Sequence, residues 1–320
     1  MPPLVSILIP AYNSAPWIAA TLESALAQTW PRVEVIVIDD GSRDDTLVIA
    51  RTFETRGVRV LTQPNTGQSA TFNKALSLAR GDYIEFLDAD DLLAPDKIER
   101  QIALLARRAP GTLAAGAWAR FTHDPAEARF IPEAVWTDLS PVEWLVASWE
   151  GGGMMHGAAW LVSRSLVDKV GGWNAELSLI NDFDFFTRLV LASEGVAFCA
   201  EARSYYRSGI SGSLSNQRTD RAWRSALASL NSGTTALLAR EDSPRTRHAA
   251  ALNFQRLVYD AYPQAPAVTR AAETRIRELG GARLAPEGGR LFRCLARVLG
   301  WKASRRLQLA GNRFRRRAPR

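Results

Sequence analysis

The chain is poor in cysteine, histidine and long apolar runs. Its 320 residues include two cysteines and three histidines, too few for a disulfide framework or a metal centre with nitrogen and sulfur ligands. No stretch reaches the ~18 consecutive apolar residues of a membrane-spanning helix, and the apolar run Val5–Ile9 lacks the basic start of a secretion signal. These absences predict a cytoplasmic protein in which any metal is held by oxygen ligands.

Acidic residues are absent from residues 288–320, where eleven lysines and arginines lie. The net charge of +7 comes from this tail, since residues 1–287 hold 29 basic groups against all 33 acidic ones. One helical face of the tail is apolar, with arginines opposite; it consists of Leu291, Phe292, Leu295, Val298 and Leu299. Two alternatives explain this pattern equally well: peripheral contact with an anionic membrane, or a helix packed on the body ahead of a solvated terminus. Nucleic acid is not favoured, because no aromatic residues are interleaved with the arginines.

Apolar strands alternate with amphipathic helices over the first hundred residues. The predicted strands are 5–9, 33–38, 58–61 and 83–87, and the predicted helices cover 15–28, 44–55 and a segment around 72–79. We expect Pro10 to end the first strand. Such alternation predicts an α/β fold with a mainly parallel sheet, whose ligands bind at the carboxyl ends of the strands.

The periodicity weakens beyond Gly111. A strand is predicted at 158–163, a helix at 182–191 and short strands at 196–200 and 204–206. From residue 220 the pattern is helical to the end, with breaks near Pro244, 263–266 and 280–281. The tryptophans are concentrated here, since six of the ten lie in 118–173. Most are expected in the core, with one or two free to stack on a ligand, and His156 is expected to be a hydrogen-bonded core or cleft residue rather than a metal ligand.

Carboxylates stand where a phosphate-binding α/β protein has a glycine-rich loop. Neither G-x-G-x-x-G nor G-x-x-x-x-G-K-[ST] follows Ile9, whereas Asp39–Ser42 and Asp88–Asp91 end the second and fourth strands. Each acidic stretch alone is explained by a turn or by a helix dipole. Their shared sheet edge, with Tyr12 at a third strand end, favours a nucleoside diphosphate bound through Mg²⁺ or Mn²⁺, which bridges carboxylates and phosphates.

Several motifs occur in a fixed order along residues 4–210, and together they resemble the family 2 glycosyltransferases with the GT-A fold. The motifs are VSILIPAYN (5–13), QTW (28–30), EVIVIDDGS (34–42), NTG (65–67), ARGDYI (79–84), FLDADD (86–91), PD (95–96), GGWN (171–174) and NDFD (181–184). The resemblance implies a Rossmann-like, mainly parallel sheet flanked by helices, with a helical C-terminal extension. It further implies inverting transfer of a sugar from a nucleoside diphosphate sugar, with a UDP-sugar favoured, to a saccharide or lipid-linked acceptor in cell-surface polysaccharide or glycoconjugate synthesis.

The resemblance also assigns roles to individual residues. Asp88 and Asp90 match the D-x-D metal motif, with Asp90 the better candidate for direct contact. Asp182 matches the general base, although a carboxylate in the first turn of a helix is also favoured by the helix dipole alone. Asp40 would accept hydrogen bonds from the base, which favours uracil, and the ring of Tyr12 would pack on that base. The remaining residues assigned to the nucleotide site are Pro10, Ala11, Asn13 and Gly67.

The sequence departs from the family pattern at three positions. Asn181 stands where a glutamate often precedes the base, Phe72 where an arginine is common, and Gly209 where many relatives have a histidine. These departures put in doubt a phosphate contact and a third metal ligand. They also keep open a non-catalytic nucleotide-sugar or carbohydrate-binding protein as an alternative. A sugar nucleotidyltransferase is less favoured, because it would need a glycine-rich basic loop after the first strand.

We interpret residues 1–215 as the transferase domain, with a nucleotide-binding half over about 1–115 and an acceptor half over about 116–215. Residues 216–320 would form a helical C-terminal region that ends in the basic tail.

Overall fold

The structure, a computed structural model, describes residues 1–210 and 217–317, with side chains as far as residue 309. The predicted boundary between residues 215 and 216 falls outside the described residues. The strands are β1 (Val5–Ala11), β2 (Val33–Asp39), β3 (Arg59–Thr62), β4 (Tyr83–Phe86), β5 (Leu92–Leu93), β6 (Thr112–Phe121), β7 (Trp160–Ser163) and β8 (Gly195–Arg207).

Helices precede, separate and follow these strands. They are α1 (Ile18–Leu26), α2 (Thr46–Arg51), α3 (Gln68–Leu78), α4 (Lys97–Leu105), α5 (Pro141–Ala147), α6 (Arg164–Val170), α7 (Asn181–Ala192), α8 (Asp220–Arg240), α9 (Pro244–Ala261), α10 (Pro266–Glu278), α11 (Arg290–Leu299) and α12 (Trp301–Arg317). The breaks predicted near Pro244, 263–266 and 280–281 separate α8 from α9, α9 from α10 and α10 from α11. No helix among the described residues is long and apolar enough to cross a membrane.

One eight-stranded sheet has the order β3-β2-β1-β4-β7-β6-β8-β5. The pairs among β1, β2, β3 and β4 are parallel, as the alternation of strands and helices predicts. Strand β7 runs antiparallel to both β4 and β6, and β6 is parallel to β8. Apolar side chains on both faces of the sheet form the two parts of the core, and the larger part continues into α8, α9 and α10.

The prediction that Pro10 ends the first strand is wrong, since β1 continues through Ala11. The carbonyl of Leu8 accepts a hydrogen bond from Leu87 on the β4 side, and the carbonyl of Ala11 accepts one from Asp40 on the β2 side. Alternate residues of β1 therefore bond to opposite neighbours, and Pro10 faces the β4 side. Pairing with β4 has ended at Leu8. Pro10 has no N–H, but no hydrogen bond to β4 is lost at this position.

The sequence pattern missed strand β6 and divided β8 in two. Residues 112–121 are rich in alanine and nearly all buried, so they lack the alternation and, apart from Thr112, the β-branched side chains that identify a strand. The register of β6 against β8 shifts between Gly116 and Ala117. A Cβ at Gly116 would lie 2.2 Å from the carbonyl oxygen of Ala202, so this close approach requires glycine.

Candidate active site

The carboxyl ends of β1, β2 and β4 meet at one edge of the sheet. Pro10 and Ala11 are buried within β1, whereas the ring of Tyr12 is 45% exposed and available for stacking. Asn13, at a positive φ of 50°, donates its N–H to Ser42 Oγ at 3.0 Å and joins the ends of β1 and β2. The predicted contacts of these four residues with a base stay predictions.

Asp40 is occupied by protein donors. Its carboxylate is 3% exposed and accepts hydrogen bonds from Gln63 Nε2 at 2.9 Å and from the backbone N–H groups of Thr66 at 2.9 Å and Gly67 at 2.8 Å. These bonds hold the loop that leads into α3, and Gly67 adopts a positive φ of 90° immediately before that helix. A base would compete with these donors, so the hydrogen bonds predicted from a base to Asp40 stay a prediction.

Asp88, Asp90 and Asp91 crowd three carboxylates together at the end of β4. Burial raises the pKa of Asp88 well above its ordinary value, and the charges of Asp91, Asp90 and Asp182 raise it further. Burial and the charge of Asp91 raise the pKa of Asp90 to about 7, and burial raises that of Asp91 to about 7. Repulsion of this kind favours a cation among the carboxylates.

Arg207, the last residue of β8, places one positive charge against this cluster. Its backbone N–H donates to Asp91 Oδ1 at 2.8 Å, and its Nε donates to the carbonyl of Asp90 at 2.8 Å. The guanidinium lies 4.3 Å from the centroid of the Phe121 ring. Its charge lowers the pKa of both carboxyl groups and so offsets part of the effect of burial.

Asp182 lies in the first turn of α7 and faces the same region. Burial raises its pKa, and the backbone N–H of Phe183, which donates to Asp182 Oδ1 at 2.9 Å, lowers it. Its charge raises the pKa of Asp88, so the structure brings the predicted base and the predicted metal motif together. The next acid along the helix, Asp184, is instead paired with Arg188 at 2.8 Å and supports the helix.

Gln68, at the start of α3, joins the two acidic centres. Its Nε2 donates to Asp88 Oδ1 at 2.8 Å, and its Oε1 accepts from Asn181 Nδ2 at 3.1 Å. Asn181 also donates to Ser69 Oγ at 2.9 Å. Asn181, one of the departures from the family pattern, therefore connects α7 to α3 through hydrogen bonds between uncharged groups.

His156 is a buried, hydrogen-bonded residue, as predicted. Its Nε2 lies 2.9 Å from Ser204 Oγ, and its Nδ1 lies 3.2 Å from Asp91 Oδ2. Burial, with the charges of Lys97 and Arg120, lowers its pKa to about 3, so the ring is neutral near pH 7. Five of the six tryptophans in 118–173 are buried, and Trp136 is partly buried, which confirms their predicted place in the core.

A cavity of about 530 Å³ opens beside Asp182. Aromatic side chains from several elements line it, together with polar side chains from α9 and from the segment just before α8. The aromatic residues are Trp144, Trp149, Trp160, Phe183, Phe186 and Trp223, and the polar ones include Arg218, Asn253, Arg256 and Asp260. Its volume lies in the range of small-ligand sites. An acceptor that reaches Asp182 through this cavity would meet aromatic faces that suit sugar rings.

The carboxylate oxygens of Asp88 and Asp90 are suitable ligands for Mg²⁺ or Mn²⁺. Both side chains are partly exposed and supply oxygen ligands, and Mg²⁺ is commonly held by one or two carboxylates plus substrate phosphates. No group of three histidine, cysteine or acidic side chains is arranged to hold a metal within the described residues. Gly209 has no ligating side chain, so the described part of the chain offers no third protein ligand at that position.

Phe72 belongs to an aromatic cluster instead of facing a phosphate. It is 1% exposed and stacks on Trp173 with ring centroids 4.7 Å apart. Sequence reasoning did not assign Gln68, Asp91 or Arg207 to the site. Only the position of Asp91 in the acidic loop could have indicated it, because the contacts of Gln68 and Arg207 depend on distant segments.

Comparison with known sequences shows that the chain is similar to glycosyltransferases. The model of the family "Glycosyl transferase family 2" matches residues 6–171, just over half of the chain. An uncharacterized glycosyltransferase of Rickettsia felis is 29% identical over 194 residues, which cover 59% of this chain and 31% of that protein. Chondroitin synthase of Escherichia coli is 48% identical over 99 residues, which cover 30% of this chain and 14% of that protein. The chain thus matches 31% to 60% of the length of three rickettsial relatives.

Solved structures share the fold. S. aureus TarS 1-349 in complex with UDP-GlcNAc superposes with a TM-score of 0.62 at 17% identity, covering 87% of this chain and 92% of that chain. The mannosyltransferase PcManGT from Pyrobaculum calidifontis, in complex with GDP-Man and Mn²⁺, gives a TM-score of 0.55 at 19% identity, covering 96% and 83%. These likenesses confirm the predicted GT-A architecture with a helical C-terminal region.

Proposed function

Because the chain belongs to glycosyl transferase family 2, we propose that it is a metal-dependent, inverting glycosyltransferase. The donor is a nucleoside diphosphate sugar, with a UDP-sugar favoured, and the acceptor is a saccharide or a lipid-linked saccharide. The observation that carries this proposal is the hydrogen-bonded link from Asp88 through Gln68 to Asn181, which adjoins Asp182 at the wall of the aromatic cavity.

The proposed site has a donor side and an acceptor side, and different residues act on each. On the donor side, Tyr12 offers an exposed ring to the base, and Asp88 and Asp90 would hold the metal. A divalent cation there would stabilise the charge that develops on the leaving diphosphate. On the acceptor side, Asp182 takes the proton of the attacking hydroxyl. Burial raises its pKa, which makes it a stronger proton acceptor, and the N–H of Phe183 orients its carboxylate.

Two further features support the biological setting. Relatives of this chain include proteins named chondroitin synthase and hyaluronan synthase, which supports a role in polysaccharide or glycoconjugate synthesis. Structural neighbours were solved with UDP-GlcNAc, UDP and GDP-Man, which supports a nucleotide-sugar donor. We place the enzyme in the cytoplasm, where nucleotide sugars are expected.

The first experiment identifies the donor class. Purified protein is titrated with UDP, GDP, dTDP and CDP, each with and without Mn²⁺, by calorimetry. Metal-dependent preference for one nucleotide is the expected result and identifies the donor class. Absence of binding to every nucleotide in both conditions would contradict the donor site.

Asp182→Asn separates an enzyme from a binding protein. Loss of the base should lower kcat by roughly 10²–10⁴-fold, while the dissociation constant of the nucleotide changes little because Asp182 lies on the acceptor side. Turnover is measured as nucleoside diphosphate release with a panel of saccharide acceptors. Undiminished turnover in Asp182→Asn would exclude this residue as the base, and wild-type nucleotide binding without turnover would favour the non-catalytic alternative.

A further inference from the structure

Helix α11 leaves most of its apolar face uncovered. Phe292 is 5% exposed and lies against Arg305 of α12, whereas Leu291 is 75%, Val298 82% and Leu299 51% exposed. Isolated apolar side chains are common on protein surfaces, but these three lie within nine residues of one helix. We call Leu291, Val298 and Leu299 the exposed strip.

Arginines border the exposed strip on one side. Arg290, Arg293 and Arg297 are all exposed, and the seven-residue spacing of Arg290 and Arg297 matches that of Leu291 and Val298, so the two rows run side by side along the helix. No acidic residue occurs anywhere in 288–320. The surface is therefore apolar along a line and positive beside it.

The other side of this segment is attached firmly to the body. Trp301, at the start of α12, packs edge-on against Tyr259 and Tyr262 with ring centroids 4.8 and 5.1 Å apart. Lys302 Nζ lies 2.6 Å from Glu273 Oε1, and the Arg305 guanidinium lies 4.8 Å from the centroid of the Phe292 ring. The body thus holds α12, and α11 packs on α12 through Phe292, so this packing accounts for Phe292 but not for the exposed strip.

We propose that α11 is a membrane-docking helix that lies in the interface of an anionic bilayer. The exposed strip enters the boundary between headgroups and acyl chains, and the three arginines contact lipid phosphates. This is the arrangement in which a basic amphipathic helix gains both apolar burial and attraction to anionic lipid.

The positive charge beside the exposed strip favours a bilayer over the other molecules that could bind there. A second copy docked strip to strip would bring two rows of arginines together, and like charges oppose that contact. Nucleic acid would engage the arginines but leave the strip in water. An anionic bilayer would bury the exposed strip and pair the arginines with lipid phosphates at the same time.

Docking would bring the membrane close to one end of the aromatic cavity. Trp301, two residues beyond the exposed strip, packs against Tyr259, and the next residue, Asp260, lines the cavity. If the proposed function holds, this placement favours an acceptor carried by a lipid over a free saccharide.

Vesicle sedimentation of the full chain tests the docking. The vesicles contain phosphatidylcholine alone or mixed with phosphatidylglycerol. One variant is Leu291→Gln with Val298→Gln, and the second replaces Arg290, Arg293 and Arg297 with glutamine. Their controls are Val48→Gln, at an apolar side chain 65% exposed on α2, and glutamine at the exposed Arg51, Arg107 and Arg129.

The wild type and both controls should bind the mixed vesicles and not pure phosphatidylcholine. The strip variant should lose binding, and the arginine variant should bind roughly 100-fold more weakly, at about fivefold per charge. Melting temperatures and nucleotide affinity should match the wild type in both variants, so failure of docking leaves the proposed function untouched.

Three results would overturn the proposal. The first is no vesicle binding by the wild type, and the second is equal binding by wild type and strip variant. The third is a strip variant that changes the oligomeric state in size-exclusion chromatography while vesicle binding persists, which would make the strip an interface between copies.

Discussion

At the residue scale, the site concentrates negative charge that the protein only partly neutralises. Poor solvation raises the pKa values of Asp88, Asp90 and Asp91, neighbouring carboxylates raise those of Asp88 and Asp90 further, and Arg207 supplies one nearby positive charge. Asp91 already accepts a hydrogen bond from Arg207, whereas Asp88 and Asp90 are partly exposed. The pair that faces solvent is the pair best placed to meet a bound cation.

Asp90→Asn should therefore weaken metal-dependent donor binding. Removing a supporting partner of a ligand typically costs 10–100-fold in metal affinity, and removing the ligand itself should cost at least as much. The Mn²⁺ dependence of nucleotide binding is measured by calorimetry. Asp96→Asn, at an aspartate paired with Arg100 outside the site, serves as the matched control. A variant with unchanged Mn²⁺ dependence would show that Asp90 is not a ligand.

A second charged pair lies inside the core, behind the site. Lys97 donates to Glu85, both side chains are 0% exposed, and Lys97 Nζ also donates to the carbonyl of Trp160 at 3.1 Å. Burial raises the pKa of Glu85 to about 7 and lowers that of Lys97. The pair joins β4 to α4 directly beneath the acidic loop.

Glu85→Gln should destabilise the fold strongly, because it leaves the Lys97 ammonium buried without a counter-charge. Breaking a buried pair typically costs about 3–5 kcal/mol of the free energy of unfolding, measured here by urea denaturation. The double variant Glu85→Gln with Lys97→Met removes both charges and should recover part of that loss. A single variant within about 1 kcal/mol of the wild type would contradict this account of the pair.

At the scale of elements, the site depends on contacts between segments far apart in sequence. Gln68 in α3 donates to Asp88 after β4 and accepts from Asn181 in α7. One carboxamide thus holds a predicted metal ligand and the helix that carries the predicted base. The glutamine side chain carries no charge, so its substitution changes the positions of Asp88 and Asn181 more than the charge of the site.

Gln68→Met keeps the length of the side chain and removes both hydrogen bonds. A hydrogen bond to a charged group contributes about 1.5–3 kcal/mol, so kcat/KM should fall by at least about tenfold. If Gln68 positions Asp88, the Mn²⁺ concentration for half-maximal rate should rise together with the donor KM. Asn181→Ala, which spares the bond to Asp88, should lower kcat with a smaller change in Mn²⁺ dependence. Identical Mn²⁺ dependence in Gln68→Met and wild type would refute the positioning role.

The same distinction between local and distant contacts explains what the sequence could predict. Strands β1 to β4 and helix α7 carry their own periodicity, and the D-x-D and N-D-F-D motifs are local, so the sequence predicted these elements and named Asp88 and Asp182 as candidates. Strand β6 was missed because its alanine-rich residues are buried by neighbours on both faces. Gln68 and Arg207 were missed because only the folded chain brings them to the acidic loop.

At the scale of the whole molecule, the cavity beside Asp182 extends beyond the region matched by the family model. That match ends at residue 171, yet α8 and α9 supply Trp223, Asn253 and Arg256 to the cavity beside Asp182. Helix α8 packs on α7, and α9 packs on α8. Part of the cavity wall therefore lies outside residues 116–215.

Arg256 connects this C-terminal wall to the rest of the cavity. Its Nη1 donates to the carbonyl of Trp149 at 2.7 Å and to Asn253 Oδ1 at 2.8 Å. The Trp149 carbonyl belongs to the π-helical turn Ser148–Gly152, where Gly151 adopts a positive φ of 100°. Arg256 thus fixes an irregular segment of the cavity from the opposite side.

Arg256→Met should loosen that segment and weaken acceptor binding without affecting the donor. Losing the hydrogen bonds from the guanidinium to Trp149 and Asn253 predicts an acceptor KM about tenfold or more above the wild type. Nucleotide affinity should stay unchanged, because the donor edge lies in the first half of the chain. The matched control is Trp301→Ala, which removes packing against Tyr259 and Tyr262 at a residue that does not line the cavity. It should lower the melting temperature and leave the acceptor KM unchanged. Equal changes of acceptor KM in both variants would mean that the C-terminal helices stabilise the fold without shaping the acceptor site.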